Sequence, residues 1–229
     1  DAVGFGLNAV DHLIVVPKYP SFDTKTRLLS HKLSAGGQTA TAMVALQRLG
    51  FKTAYAGRFG SDPEGQFGLN TLQEEGVNTD YAEVVDGSAT QIAFITIEEN
   101  SGERTIVWDR DDRLAYKSEE APRNFGSQGR VLHLDAHDPP ACVRVAQDAK
   151  QAGTLISTDI DNVYDGLPAL LPYIDILLGS KEFPHRVTGF DDPMTGLVEL
   201  HNRYGSEVVG MTLGDQGAVE IVVGWPPDL

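Results

Sequence analysis

Apolar residues group along the chain in two different rhythms, and the rhythms outline the elements. Ala2 to Leu7 is apolar with Gly4 and Gly6, and Leu13-Ile14-Val15-Val16 is a branched run stopped by Pro17 and Pro20. Both read as strands, as does Leu28 to Leu33. From Gln38 to Leu49 the period changes: Met43, Val44, Leu46 and Leu49 recur at helical spacing, with Gly50 as the stop. Lys52 to Ala56 reads as a strand. Asp62-Pro63-Glu64 supplies an N-cap, a first-position proline and a first-turn acid, so a helix runs to about Glu75, ended by Gly76.

Between 81 and 108 the pattern is strand only. Tyr81 to Val85, Gln91 to Ile97 and Arg104 to Trp108 are three such stretches, and Asn100-Ser101-Gly102 is a hairpin turn signal. The alternation in Gln91 to Ile97 gives that strand one covered face and one less covered face.

From Val131 strands and helices alternate. Val131–Leu134, Thr154–Ser157, Ile174–Leu178, Glu207–Leu213 and Ala218–Val223 read as strands. Pro139–Ala152, a short piece near Leu167–Leu171, Lys181–Val187 and Pro193–Tyr204 read as helices. The expected class is α/β, with a mainly parallel central sheet and helices on its faces. Ligands bind such sheets beyond the carboxyl ends of the strands. There is no internal repeat and no low-complexity tract.

Composition narrows the partners. The 229 residues carry 18 Lys+Arg against 33 Asp+Glu, so 18 − 33 = −15. That balance opposes broad contact with nucleic-acid phosphate or anionic lipid, though one local positive patch suffices for a small anion. No apolar run is long enough to span a membrane. The single Cys142 has no internal disulfide partner, reads as a buried structural thiol and suits a reducing cytoplasm.

Candidate chemistry gathers at strand ends. Gly4-Phe5-Gly6-Leu7-Asn8-Ala9 has the dinucleotide spacing G-x-G-x-x-A, but branched residues and prolines follow where a helix is needed. The glycines instead let the chain pass close to a ligand or another strand. Asp11 follows the first strand end. It either accepts hydrogen bonds from two vicinal hydroxyls of a polyol or caps a turn. Gly36-Gly37 either brings backbone against a ligand or makes a plain loop-to-helix turn. Asp135 and Asp159 end two sheet strands and Ser180 follows a third, whereas Asp161 reads as a surface or cap acid. The six histidines lack ligand spacing, so His133 and the others carry no metal expectation.

In this order the pieces resemble the ribokinase-like (PfkB) carbohydrate kinase family. The segments that carry the resemblance are Gly6-Leu7-Asn8-Ala9-Val10-Asp11, Gly36-Gly37 with its small-residue helix, and Gly57-Arg58-Phe59-Gly60-Ser61-Asp62. They continue with Gly102-Glu103-Arg104-Thr105-Ile106-Val107, Leu178-Gly179-Ser180-Lys181-Glu182-Phe183 and Met211-Thr212-Leu213-Gly214-Asp215-Gln216-Gly217. Val16-Pro17-Lys18-Tyr19-Pro20 and Ser180-Lys181 lean toward the ketohexokinase-like branch.

The resemblance implies ATP-dependent phosphorylation of a sugar or similar alcohol by a cytoplasmic enzyme, with ATP and Mg²⁺. It implies a ribokinase-like fold whose β-sheet lid comes from about residues 12–34 and 81–108, paired with a second copy in a homodimer. Asp11, Gly36, Gly37, Gln38, Thr41 and Asp135 then fall on the sugar side. Arg104, Ser180, Thr212, Gly214 and Gly217 fall on the nucleotide side.

Some positions depart from the family pattern. Gln38 and Thr41 replace residues that are usually Asn, and the Glu of the Asn-x-x-Glu pattern falls on Phe183. The family segment Asp-Thr-x-Gly-Ala-Gly-Asp, whose last Asp is the catalytic base, is expected after Ala218–Val223 and is not in the sequence. The expectation is one domain over 1–229 that is incomplete at its C-terminal end, with residues missing between Val223 and Gly224 and after Leu229. The alternatives are a non-catalytic sugar- or nucleotide-binding protein of kinase ancestry, a nucleoside kinase of the same fold and, last, a dinucleotide oxidoreductase.

Overall fold

The computed structural model describes residues 1–224, so the expectation attached to Trp225–Leu229 lies outside the described residues. In chain order the elements begin with β1 (Ala2–Phe5), β2 (Ala9–Val16), β3 (Ser30–Gly36), α1 (Gln38–Arg48), β4 (Thr53–Ala56), β5 (Arg58–Gly60) and α2 (Pro63–Glu74). There follow β6 (Glu83–Val85), β7 (Ile92–Glu98), β8 (Arg104–Asp109), β9 (Val131–Leu134), α3 (Pro139–Ala152) and β10 (Leu155–Ile160). The last are α4 (Leu167–Leu170), β11 (Ile176–Gly179), α5 (Phe183–Thr188), α6 (Pro193–Tyr204), β12 (Val208–Thr212) and β13 (Ala218–Val222).

All four residues of β1 are buried, as a strand covered on both faces requires. It sits inside a seven-stranded sheet of order β13-β12-β11-β10-β9-β1-β4, parallel except for β13. Gly4 leaves room for Met43 of α1, which packs on one face with Tyr55, Leu72 and Val77. Phe5, Leu132, Leu134, Ile156, Ile160, Leu177 and Val209 point to the other face. They join Cys142, Val145 and Ala149 of α3 and Leu197 and Leu200 of α6 in the main core. On the α1 side, Asp159, Leu178 and Thr212 stay exposed near the carboxyl ends of β10 to β12.

A second, four-stranded sheet has the order β3-β2-β7-β8. It stands where the lid was expected, and it is built from two separate excursions of the chain. The β2–β3 hairpin and the β7–β8 hairpin join through a parallel β2–β7 pairing from Val10↔Ile92 to Val16↔Glu98. Three placements differ from the expectations. The strand expected at Leu13–Val16 begins at Ala9, because Ala9 and Val10 already pair with Gly36 and Ala35. The strand expected at 28–33 runs instead from Ser30 to Gly36, carried along by the same register. Glu83–Val85 pairs with Arg58–Gly60 in a small sheet of its own, outside the lid.

Candidate active site

The carboxyl end of β9 supplies the most buried acid of the molecule's strand-end crevice. Asp135 is 1% exposed. Its Oδ2 accepts the Leu7 N–H at 2.5 Å and the Thr39 hydroxyl at 2.8 Å, and its Oδ1 accepts the His137 N–H at 3.2 Å. Gly6 makes this possible, since a Cβ there would lie 2.3 Å from Oδ2. One carboxylate thus ties the β1–β2 turn, the start of α1 and the approach to α3. Burial raises the Asp135 carboxyl above its ordinary value against the pull of those three donors. Ala136 follows in the left-handed region at φ 60, which costs a non-glycine residue about 1–2 kcal/mol and re-aims the chain between Asp135 and His137.

Asp11 and the two glycines form the second part. Asp11 lies within β2, in the lid, level with Ser34 of β3 and Ala93 of β7. That corrects its expected position at the end of the first strand: the chain re-enters a strand at Ala9, with only Gly6, Leu7 and Asn8 between it and Phe5 of β1. Among the described residues its carboxylate has no hydrogen-bond partner, and partial burial raises its pKa. A Cβ at Gly36 would come 2.3 Å from its Oδ2. Gly37 has φ 93, and a Cβ there would lie 2.4 Å from the Cα of Asn8. The glycine pair therefore seats the start of α1 directly against the β1–β2 turn. Among the described residues no side chain caps α1.

Gln38 reaches across the crevice, its Nε2 3.4 Å from Oδ2 of Asp159. Asn8 and Thr39 were not singled out by the sequence reading. The Asn8 amide donates to Tyr55 Oη at 3.0 Å and to the Arg58 carbonyl at 2.9 Å, while Tyr55 donates to the Gly6 carbonyl at 2.7 Å. The available signal for Asn8 was its place between Gly6 and Asp11. Nothing local marks Thr39, whose partner is 96 residues away.

Thr41 is exposed and lines a groove between α1 and α2 that Asn8 and Gly36 also line, with Ser34, Val44 and Thr71. Other candidates stand apart. Arg104 pairs with Ile97, four residues along β7 from Ala93, which puts it ~13 Å up the lid from the level of Asp11. It lines a shallow groove with Lys18, Tyr19 and Glu98. Ser180 follows β11 and donates to the Asp161 carbonyl at 3.2 Å. Thr212 ends β12, the strand beside it, with Gly214 and Gly217 in the turn beyond at φ 64 and 89. Cys142 is buried in the core, and burial drives its thiol far up, as for a structural thiol. His133 bonds Ser157 within the sheet, its Nδ1 2.9 Å from Oγ. Among the described residues no group of three or more His, Cys, Asp or Glu side chains is placed to hold a metal ion. No described helix is long and apolar enough to cross a membrane.

Comparison with known proteins follows the same outline. A family model described as pfkB family carbohydrate kinase matches residues 3–222. A nucleoside kinase of Methanothermobacter thermautotrophicus is 25% identical over 96% of this chain and 71% of its own length. A chloroplastic protein of Arabidopsis thaliana, named as a probable fructokinase-6, is 28% identical over 71% of this chain, but only 47% of its own length is covered. A crystal structure from Agrobacterium tumefaciens, provisionally named a ribokinase, superposes with a TM-score of 0.89 at 26% identity, covering 98% of this chain and 74% of that one. Ketohexokinase of Mus musculus also matches, at 22% over 86% of this chain and 69% of its own length. The ketohexokinase-like branch is therefore one of several that the chain resembles, and it is not singled out.

Proposed function

This chain belongs to the pfkB carbohydrate kinase family, and from that premise we propose that it serves ATP-dependent phosphorylation of a hydroxyl on a small carbohydrate. The observation that carries the reading is the state of Asp11. A half-buried carboxylate without a partner among the described residues, packed against bare glycine backbone beside a helix start, is an acceptor waiting for hydroxyl donors. Asp135 and the uncapped start of α1 close the same corner from the other side.

Two charge-assisted hydrogen bonds at ~1.5 kcal/mol each correspond to about 100-fold in affinity. Calorimetric titration with D-fructose, D-ribose and adenosine is expected to show binding of at least one. Asp11→Ala is expected to weaken that binding about 100-fold while leaving the melting temperature unchanged, because Asp11 supports no other described group. Failure of all three to bind at millimolar concentration would withdraw the reading. The nucleoside in the panel serves a second reading, a nucleoside kinase, which the M. thermautotrophicus relative favours through its coverage of 96% of this chain.

The nucleotide belongs at the ends of β11 and β12. There the exposed Thr212 hydroxyl and the open Gly214 and Gly217 turn suit phosphate or ribose oxygens. Mg²⁺ would arrive with the ATP phosphates. Bound MgATP would supply the phosphoryl group and its charge compensation. Arg104 would meet the phosphates only on lid closure. The family's base segment is not in the sequence, so binding rather than turnover tests this chain. A cytoplasmic site of action accords with the single reduced Cys142.

The lid also has a partner in this reading, a second copy of the chain. All six residues of the edge strand β8 are exposed, and Val107 and Trp108 are 65% and 58% exposed, beside Phe94 at 43%. An apolar edge of this kind is normally covered. Sedimentation equilibrium is expected to give twice the chain mass, and Trp108→Asp to give the monomer. A wild-type monomer at high micromolar concentration would refute the dimer.

A further inference from the structure

One face of the four-stranded sheet brings together two histidines that lie 19 residues apart in the chain, His12 in β2 and His31 in β3. In the hairpin register His12 is level with Leu33, and His31 with Ile14. Side chains alternate along a strand, so His12, Ile14, His31 and Leu33 share a face, and the two imidazoles are diagonal neighbours across the hairpin. Nδ1 of His12 stands 3.2 Å from Nε2 of His31, with the ring planes within 10° of each other and the ring centres 5.4 Å apart. Phe94 of β7 stacks on His12 at 4.6 Å between centres and limits where that ring can go. The ligand spacing absent from the sequence is thus supplied by strand pairing.

The surroundings accept a cation. The only Lys or Arg residues in these four strands are Lys32 and Arg104. Lys32 is level with Leu13 and Arg104 with Ile97, so alternation places both on the opposite face. His31 is exposed and His12 half-buried, which leaves the pair open to an ion from solvent. Two ring nitrogens turned toward each other admit two arrangements. Either one ring donates its N–H to the other, or both offer lone pairs to an ion. A separation of 3.2 Å is at the long end for a hydrogen bond. It is close to the bite of a metal: with Zn–N bonds of about 2.0–2.1 Å at a tetrahedral angle, two ligand nitrogens stand ~3.3–3.4 Å apart. The histidine χ2 torsion is broad, so a modest turn of each ring aims both lone pairs at one point. Each ring then keeps its proton on the nitrogen facing away, Nε2 of His12 and Nδ1 of His31.

We propose that His12 and His31 form a two-histidine site for a divalent transition ion of the zinc class, which bridges β2 to β3. No third His, Cys, Asp or Glu joins them among the described residues, so water completes the coordination. Imidazole nitrogen suits Zn²⁺ and not Mg²⁺, which separates this site from any metal that travels with ATP. The edge strand β3 pairs only with β2, and the ion staples the two together. Asp11 falls on the opposite face, so the site stands independently of the kinase reading.

Zinc chloride titrated into the intact chain against a chromogenic zinc indicator tests this. The wild type is expected to take up one Zn²⁺ per chain with no displacement by excess Mg²⁺. His12→Gln and His31→Gln each remove one ligand nitrogen. Each should weaken binding at least about tenfold, the lower end of what loss of even an outer-shell partner costs a metal site. Hydrogen exchange at the β3 amides should slow when zinc is added to the wild type and stay unchanged in either variant. The proposal is overturned if the wild type takes up no zinc, if both variants bind as tightly as the wild type, if Mg²⁺ displaces the ion, or if β3 exchange ignores zinc. Melting in EDTA shows whether each variant is folded. Should His12→Gln unfold through its contact with Phe94, the exposed His31→Gln decides alone.

Discussion

Gly37→Ala is expected to lower the melting temperature by about 10 °C and to abolish measurable sugar binding. Two costs add. An alanine at φ 93 pays about 1–2 kcal/mol of backbone strain. Its methyl would also stand 2.4 Å from the Cα of Asn8 and 2.7 Å from the Leu7 carbonyl oxygen, and both are backbone atoms that no rotamer change can move. Relief requires α1 to back away from the β1–β2 turn, for a total of about 3–5 kcal/mol. At 2–4 °C per kcal/mol for a chain of this size, that is the shift expected in a thermal melt. Gly50→Ala is the internal control. It has φ 92 but nothing within 4 Å of the added Cβ, so it should cost the strain alone. Equal melting temperatures for the two variants would show that the Asn8 contact does not matter.

Asp135→Ala has the second large effect, about 3 kcal/mol. It leaves the Leu7 N–H, the Thr39 hydroxyl and the His137 N–H without their acceptor in a site that is 1% exposed. Part of that loss is returned, because burial makes the ionised carboxyl itself costly. The sign of this term gives a pH test. A carboxyl whose folded pKa is raised above 3.8 releases its proton in the unfolded chain first, so wild-type stability from this group falls as pH rises from there through the folded value. Asp135→Asn, which does not titrate, should lack that part of the slope. Chemical denaturation at several pH values measures both. A wild-type and Asn pair with parallel pH profiles would contradict the raised value.

Local signals were readable wherever a few neighbouring residues decide an element. Asp62 caps α2 through its Oδ1 on the Gly65 N–H at 2.8 Å, with Pro63 at the first position, and the α3 and α6 limits at Pro139–Ala152 and Pro193–Tyr204 match their sequence boundaries. The parallel alternation from Val131 onward was equally plain. What escaped is pairing between distant segments. β2 meets β7 across 82 residues from Val10 to Ile92, and β6 finds β5 rather than the lid. No periodicity specifies a partner at that range. The site divides in the same way. Asp11, Gly36, Gly37 and Asp135 stand out in the sequence as residue types, although Asp11 lies within β2 rather than at a strand end. Arg104 was read from a motif on one strand, and its distance from Asp11 depends on a lid register set elsewhere.

The central position of β1 has a consequence for how the chain is made. β1 leaves the ribosome long before its second edge can be filled, since Ala2 pairs with Thr53 on one side but with Val131 on the other. At typical synthesis rates the gap between β1 and β9 is about 10 s. During that interval a fully apolar strand keeps one edge open, and Asp135, the acid that fastens Leu7 and Thr39, does not yet exist. The corner around Asp135 is therefore among the last places to become ordered. Nascent chains stalled before Val131 should be those most in need of chaperone cover.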